Sequence, residues 1–267
     1  MSEDRRIFMF SLYWTGSMTW NVPLLVSLVL VGIVYLIFFI NFTGGKLPLM
    51  QAFLFYLGLV LIYIPTGSPL STFSHLSFTV HMIYMSILFF IVPPLILGGI
   101  PKIFQEQVKA MFLLKGKLRF IISPITSLII FACMFLLYHL PFMFQIFLQQ
   151  PSLHSGYVLL MFLLSFNVWS PLVTSDRSDK KKRYAFLSGL ILMPACILFV
   201  LNGFMGKLSY PFLVDFAALC MPTEAGSFTL FPSWYNTQID QIVAGVIMMV
   251  IHKFGIMITF MIGNQIK

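Results

Sequence analysis

Seven long apolar stretches, at about 21–43, 48–65, 76–97, 120–139, 153–173, 184–205 and 237–261, dominate this 267-residue sequence. A helix needs about 20 mostly apolar residues to cross the hydrocarbon of a bilayer, and these stretches have that length. Only 9% of the residues are charged, 59% are hydrophobic and the mean hydropathy is +0.95. An ordinary soluble domain carries about 25% charged residues, so a water-facing surface cannot be built from this chain. A transmembrane β-barrel needs short alternating segments, whereas these runs are continuous. The expected fold class is all-α: a polytopic membrane protein, a single bundle of seven transmembrane helices over 21–267. Residues 1–20 are expected to form an external or interfacial segment, since Trp14 and Trp20 suit the headgroup level. The first stretch is too long for the apolar core of a signal peptide and lacks a small-residue cleavage motif, so it reads as a retained helix.

The net charge of +8 is distributed unevenly. Arg177, Lys180, Lys181, Lys182 and Arg183 lie between the fifth and sixth stretches, Lys102, Lys109, Lys115, Lys117 and Arg119 between the third and fourth, and Lys46 between the first and second. The connections after the second and fourth stretches contain no Lys or Arg. Short cytoplasmic loops collect these residues, which predicts an external N-terminus and a cytoplasmic C-terminus. The basic charge is then a topology signal with contacts to anionic membrane lipids, and it argues against a nucleic-acid partner. "KIFQEQVKAMFLLKGKLRF" alternates basic and apolar residues at helical spacing, as an interfacial helix does. Pro93 and Pro94, followed by Gly98, Gly99 and Pro101, are expected to end or kink the third helix.

That orientation sorts the five histidines. His75 and His81 open the third stretch, His139 closes the fourth and His154 opens the fifth, so four share the external side. His252 lies deeper, in the inner half of the seventh. Ionisable groups at membrane helices are usually paired and functional, although any single interfacial histidine also fits a plain boundary role. His81 and Met85 are four residues apart and share a helix face, with Met82 and Ser86 beside them. Imidazole with thioether suits copper, Cu(I) above all. The candidate metal ligands are therefore His81, Met85, His139 and His154, with His75 ranked below them because a six-residue offset turns it away from His81. Met143, Cys133 and Met134 lie nearby in sequence. The 17 methionines are weak evidence individually, since most will be packing residues.

Other chemistries find little support. Cys133, Cys196 and Cys220 are too few and scattered for a disulfide framework. There is no Gly-rich phosphate loop, HExxH or GxSxG motif, and Asp215, Glu224 and Asp240 form no spaced pair. The expectation is a protein that is not an enzyme.

"HMIYM…PPLILGGIP", "YHLPFMFQ", "PSLH…FNVWSPL" and "DQIVAGVIM", in that order over residues 45 to 260, resemble the seven-span CtaG family of cytochrome c oxidase assembly factors, associated with caa-type oxidases of Gram-positive bacteria. The family's His-Met pair falls on His81 and Met82, its histidine before Leu-Pro on His139, and its later histidine on His154. Its Trp-x-Pro falls on Trp169, Ser170 and Pro171, and its Asp-Gln on Asp240 and Gln241. Many members resemble one another in a further histidine where this chain has Met85, which turns a histidine site into a histidine–methionine one. The resemblance implies a bacterial plasma-membrane protein with cytochrome c oxidase subunits as partners and a role in maturing the copper centres. Two rival readings stay open on the residues alone. One is a haem-binding electron-transfer protein with histidines as axial ligands. The other is a retinal protein using Lys253, although Asp240, at the opposite end of the same stretch, is too distant to be its counter-ion and Lys253 fits a snorkelling role.

Overall fold

The computed structural model describes residues 20–44, 48–69, 71, 77–101, 104–105, 107, 123–174, 178–205 and 236–265. Expectations for 1–19, for 72–76 with His75, for most of 102–122 with the interfacial helix, and for 206–235 lie outside the described residues. Everything regular among the described residues is helical: α1 (Val22–Phe42), α2 (Leu49–Gly67), α3 (Phe78–Ser86), a π-helical turn (Ile87–Ile91), α4 (Val92–Gly99), α5 (Pro124–Tyr138), α6 (Pro141–Gln149), α7 (Pro151–Thr174), α8 (Ser178–Met205) and α9 (Thr237–Gln265).

Among the described residues, six helices are long and apolar enough to cross a membrane, with α3, the π turn and α4 counting as one. α5 is the exception. Its 15 residues span about 22 Å against a hydrocarbon core of roughly 30 Å. It ends at Tyr138 with His139 as its cap, one residue short of the expected 120–139 stretch, and Leu140 leaves helical geometry, at ψ 138°, ahead of Pro141.

α1 and α2 form one flank. α1 buries only Gly32, Tyr35 and Phe39, half-buries Leu24 and Leu28, and exposes most of its remaining apolar surface, as a lipid-facing helix does. Tyr35 stacks on Phe55 at 3.8 Å and donates to the Gly99 carbonyl at 2.8 Å, while Tyr56 donates to the Gly32 carbonyl at 2.9 Å. The main core lies among α3, α5, α7, α8 and α9, around Phe89, Phe90, Phe131, Phe135, Trp169 and Phe199. α9 packs along both α8 and α3.

Of the two expected outcomes, an end or a kink, Pro93 and Pro94 do not end the third helix but follow a local π-helical distortion at Ile87–Ile91. The chain stays helical to Gly99, and the physical reason lies in who serves the freed carbonyls. Neither proline has an N–H for the carbonyl four residues back, at Phe89 and Phe90. The π turn absorbs the misfit, with Val92 N–H donating to the Ile87 carbonyl. The Trp169 indole donates to the Phe89 carbonyl at 2.8 Å. The Phe90 carbonyl lies against Gly255, where a methyl group would stand only 2.6 Å from its oxygen. Past α4, the Gln105 amide donates to the Leu97 and Ile100 carbonyls, both at 2.7 Å. The helix thus survives two prolines because α7 and α9 supply a donor and a close approach.

Lys181 departs from expectation as well. It belongs to α8, not to a loop, and is only 4% exposed. Its Nζ donates to the Gly263 carbonyl at 3.4 Å, and a methyl group at Gly263 would meet both this nitrogen and the Leu172 carbonyl. The last carbonyls of α7 and α9 lack intrahelical donors and carry the negative end of the helix dipole. The buried ammonium sits where they converge. This defines a lysine end of the bundle, opposite the end where α3, α7 and α9 begin.

Candidate functional site

At that opposite end, α3 starts on a carboxylate lent by α9. Asp240 accepts from the Phe78 N–H at 2.7 Å, the Ser77 hydroxyl at 2.9 Å and the Thr79 N–H at 3.4 Å, and its own carbonyl accepts from the Thr79 hydroxyl at 3.1 Å. An anion at a helix N-terminus satisfies orphan donors and meets the positive end of the dipole. This cap anchors the first turn of α3, which bears His81 and Met82.

His81 and Met82 are adjacent in sequence and therefore about 100° apart around the helix, so they meet different neighbours. His81 is half-buried, and its Nε2 lies 3.1 Å from the hydroxyl of Tyr138, the last residue of α5. The same hydroxyl lies 2.9 Å from Nε2 of His154, in the first turn of α7. The Tyr138 ring stacks on both imidazoles, at 6.0 and 5.8 Å. A phenol has one proton. It donates to one imidazole and accepts from the other, so one of the two Nε2 atoms carries a proton and the other a lone pair.

Met82 turns toward His139, the C-cap of α5, which is 2% exposed and enclosed by Phe135 and Phe199 with ring centroids at 4.5 and 5.6 Å. His139 Nδ1 bonds the Phe135 carbonyl one turn back. A carbonyl can only accept, so Nδ1 bears the proton and the neutral ring keeps its lone pair on Nε2. That lone pair meets the Met82 sulfur at 3.3 Å. Both atoms are soft electron-pair donors. The two atoms are near enough to serve as ligands to one soft ion.

Of the expected ligands, His81, His139 and His154 are brought together at one end of the bundle by three helices. His75 lies outside the described residues. Met85 is fully buried one turn into the core, and it is Met82 that faces His139. Tyr138 and the capping role of Asp240 are not evident from spacing; the only signal for Tyr138 is its place directly before His139. Cys133 is exposed and Cys196 is buried, while Cys220 lies outside the described residues. Among the described residues, no group of three or more His, Cys, Asp or Glu is placed to hold a metal, so the candidate set is a mixed one of imidazole and thioether. His252 is buried, with its ring 4.8 Å from that of Phe90. Lys253 lies on the exposed face of α9, its Nζ over Gly189.

No curated protein and no solved structure matches this chain. A family model does, that of the cytochrome c oxidase caa3 assembly factor (Caa3_CtaG), over residues 33–263. The match takes in Asp240, His81, Met82, Tyr138, His139 and His154, and extends from the second half of α1 nearly to the end of α9. This chain therefore belongs to the cytochrome c oxidase caa3 assembly factor family.

Proposed function

We propose that this protein assists copper-centre maturation of a membrane cytochrome c oxidase by holding a cuprous ion at the histidine end of its bundle. The observation that carries this reading is the His139 Nε2 lone pair facing the Met82 sulfur at 3.3 Å. Neutral imidazole and thioether bind a soft monovalent ion without adding negative charge to an apolar interior. Two such ligands leave coordination positions open, so the ion passes to a recipient by ligand exchange with no redox step. His81 and His154, held by Tyr138, supply imidazoles beside this pair at the partly exposed mouth. The protein acts as a carrier, not an enzyme, and its partners are the oxidase subunits and the surrounding lipids.

In this reading α5 belongs to the seventh span, and the protein sits in the plasma membrane of a bacterium. The N-terminus and the histidine end face outward. Lys181 supports that orientation, because a buried lysine that gathers helix C-termini belongs at the Lys- and Arg-rich side. A reporter active only in the cytoplasm should work when fused after Lys182 and fail when fused after Gln150. The reverse pattern would put the histidines on the cytoplasmic side and remove the reading's access to an external copper centre.

The functional test is a clean deletion. Oxidase subunits should still be made and inserted, cytochrome c oxidase activity should fall several-fold, and quinol oxidases lacking that copper centre should be spared. Unchanged cytochrome c oxidase activity would sink the proposal.

A further inference from the structure

Beneath the histidine end, the same core contains a second set of soft donors. α3 and α9 run side by side in one direction. Asp240 touches Phe78, and twelve residues further along each helix His252 packs against Phe90 at 4.8 Å (240 to 252, 78 to 90). At about 1.5 Å per residue, His252 lies about 12 Å deeper than the level of Met82. One turn before it on the same face of α9 stands Met248, level with Ser86. Helical side chains lean toward the N-terminus, which carries the His252 imidazole toward Met248.

The burial of these groups is close to complete. Met248, Met85 and Ser86 are 0% exposed and His252 is 3% exposed. His252 Nε2 and Ser86 Oγ each lack a hydrogen-bond partner. A polar atom sealed in an apolar core without a partner is unusual and needs an occupant or a role. His252 is also tightly walled, by Phe90 and by Trp169 at 6.2 Å, the same indole that serves the Phe89 carbonyl.

We propose that His252 and Met248 form a second, buried soft-metal site, with the Met85 thioether standing between it and the His139–Met82 pair. The identity of the ion as cuprous rests on the function proposed above. An imidazole nitrogen and a thioether one helical turn apart repeat the donor chemistry of the first pair, buried away from bulk solvent. The path ends there. Eleven residues beyond His252, the buried Lys181 ammonium lies at Gly263 and repels a cation, so an ion enters and leaves through the histidine end. The deep site is thus a holding position that keeps a reactive ion from solvent until the first pair has been emptied.

The test is an anaerobic titration of the purified protein with cuprous ion buffered by bicinchoninate, read together with copper X-ray absorption. Wild-type protein should take up two equivalents, with sulfur scattering from both sites. His252→Ala should take up one, and His139→Ala should take up one. Met248→Leu conserves volume and leaves the helix intact, so it decides the matter should His252→Ala fail to fold. It should weaken the second equivalent at least tenfold and remove part of the sulfur scattering. A wild-type stoichiometry of one that Met248→Leu and His252→Ala leave untouched overturns the deep site while the first pair stands, and a water then fills the space by Ser86 and His252. No uptake by wild-type protein overturns both.

Discussion

His139→Ala is expected to weaken cuprous-ion binding at the histidine end by more than about 100-fold, since loss of merely an outer-shell partner of a metal ligand already costs 10- to 100-fold. Oxidase maturation should fall with it. This imidazole is firmly set. Its Nδ1 is committed to the Phe135 carbonyl, the Phe135 and Phe199 rings pack steeply tilted against it, and Nε2 is turned to the Met82 sulfur. Met82→Leu removes the sulfur at nearly constant volume and should reproduce the loss of copper while leaving abundance and thermal stability close to wild type. Full cuprous affinity in Met82→Leu would mean that the 3.3 Å approach is packing alone. Equal loss of abundance in both variants would assign the pair a structural role.

Asp240→Ala should lower stability on the order of 3 kcal/mol, the combined effect of a lost helix cap and lost hydrogen bonds to a charged acceptor. The carboxylate satisfies the Phe78 N–H, the Thr79 N–H and the Ser77 hydroxyl, and no water replaces it cheaply beside an apolar core. The damage should reach the site, because the turn it anchors bears His81 and Met82. Reduced thermal stability in detergent and reduced copper binding are expected together. Asp240→Asn keeps the shape and one acceptor oxygen, and should fall between. A stability equal to wild type in Asp240→Ala would show that α3 begins without help from α9.

Some of this was legible from residues alone, and the particular elements say why. Long apolar runs report membrane helices because every backbone polar group must be satisfied within the segment, whatever its neighbours. Run ends report depth, so His81, His139 and His154 could be placed at one end before any contact was known. Helical period, however, tells which residues share a face, not which face meets which helix. His81 and Met85 share a face by period, yet the sulfur opposite His139 belongs to Met82. The period likewise gives no hint that the Tyr138 hydroxyl would reach two imidazoles on different helices.

The prolines make the same point from the backbone. Pro93 and Pro94 carry a local instruction to break the helix, and the instruction is correct for an isolated segment. It is overridden by a π turn, by the Trp169 indole on the Phe89 carbonyl, and by Gly255 leaving room for the Phe90 carbonyl. Lys181 reads as loop charge until α7 and α9 present it with carbonyl ends. By itself, the sequence determined the all-helical membrane character, the approximate course of the spans and the end at which the histidines gather, since these follow from hydropathy and length along one chain. Only the tertiary structure decided the ligand pair, the bridging phenol, the trans-supplied helix cap and the unbroken third helix. Each of those depends on the rotation of one helix against another, which packing sets and no single segment encodes.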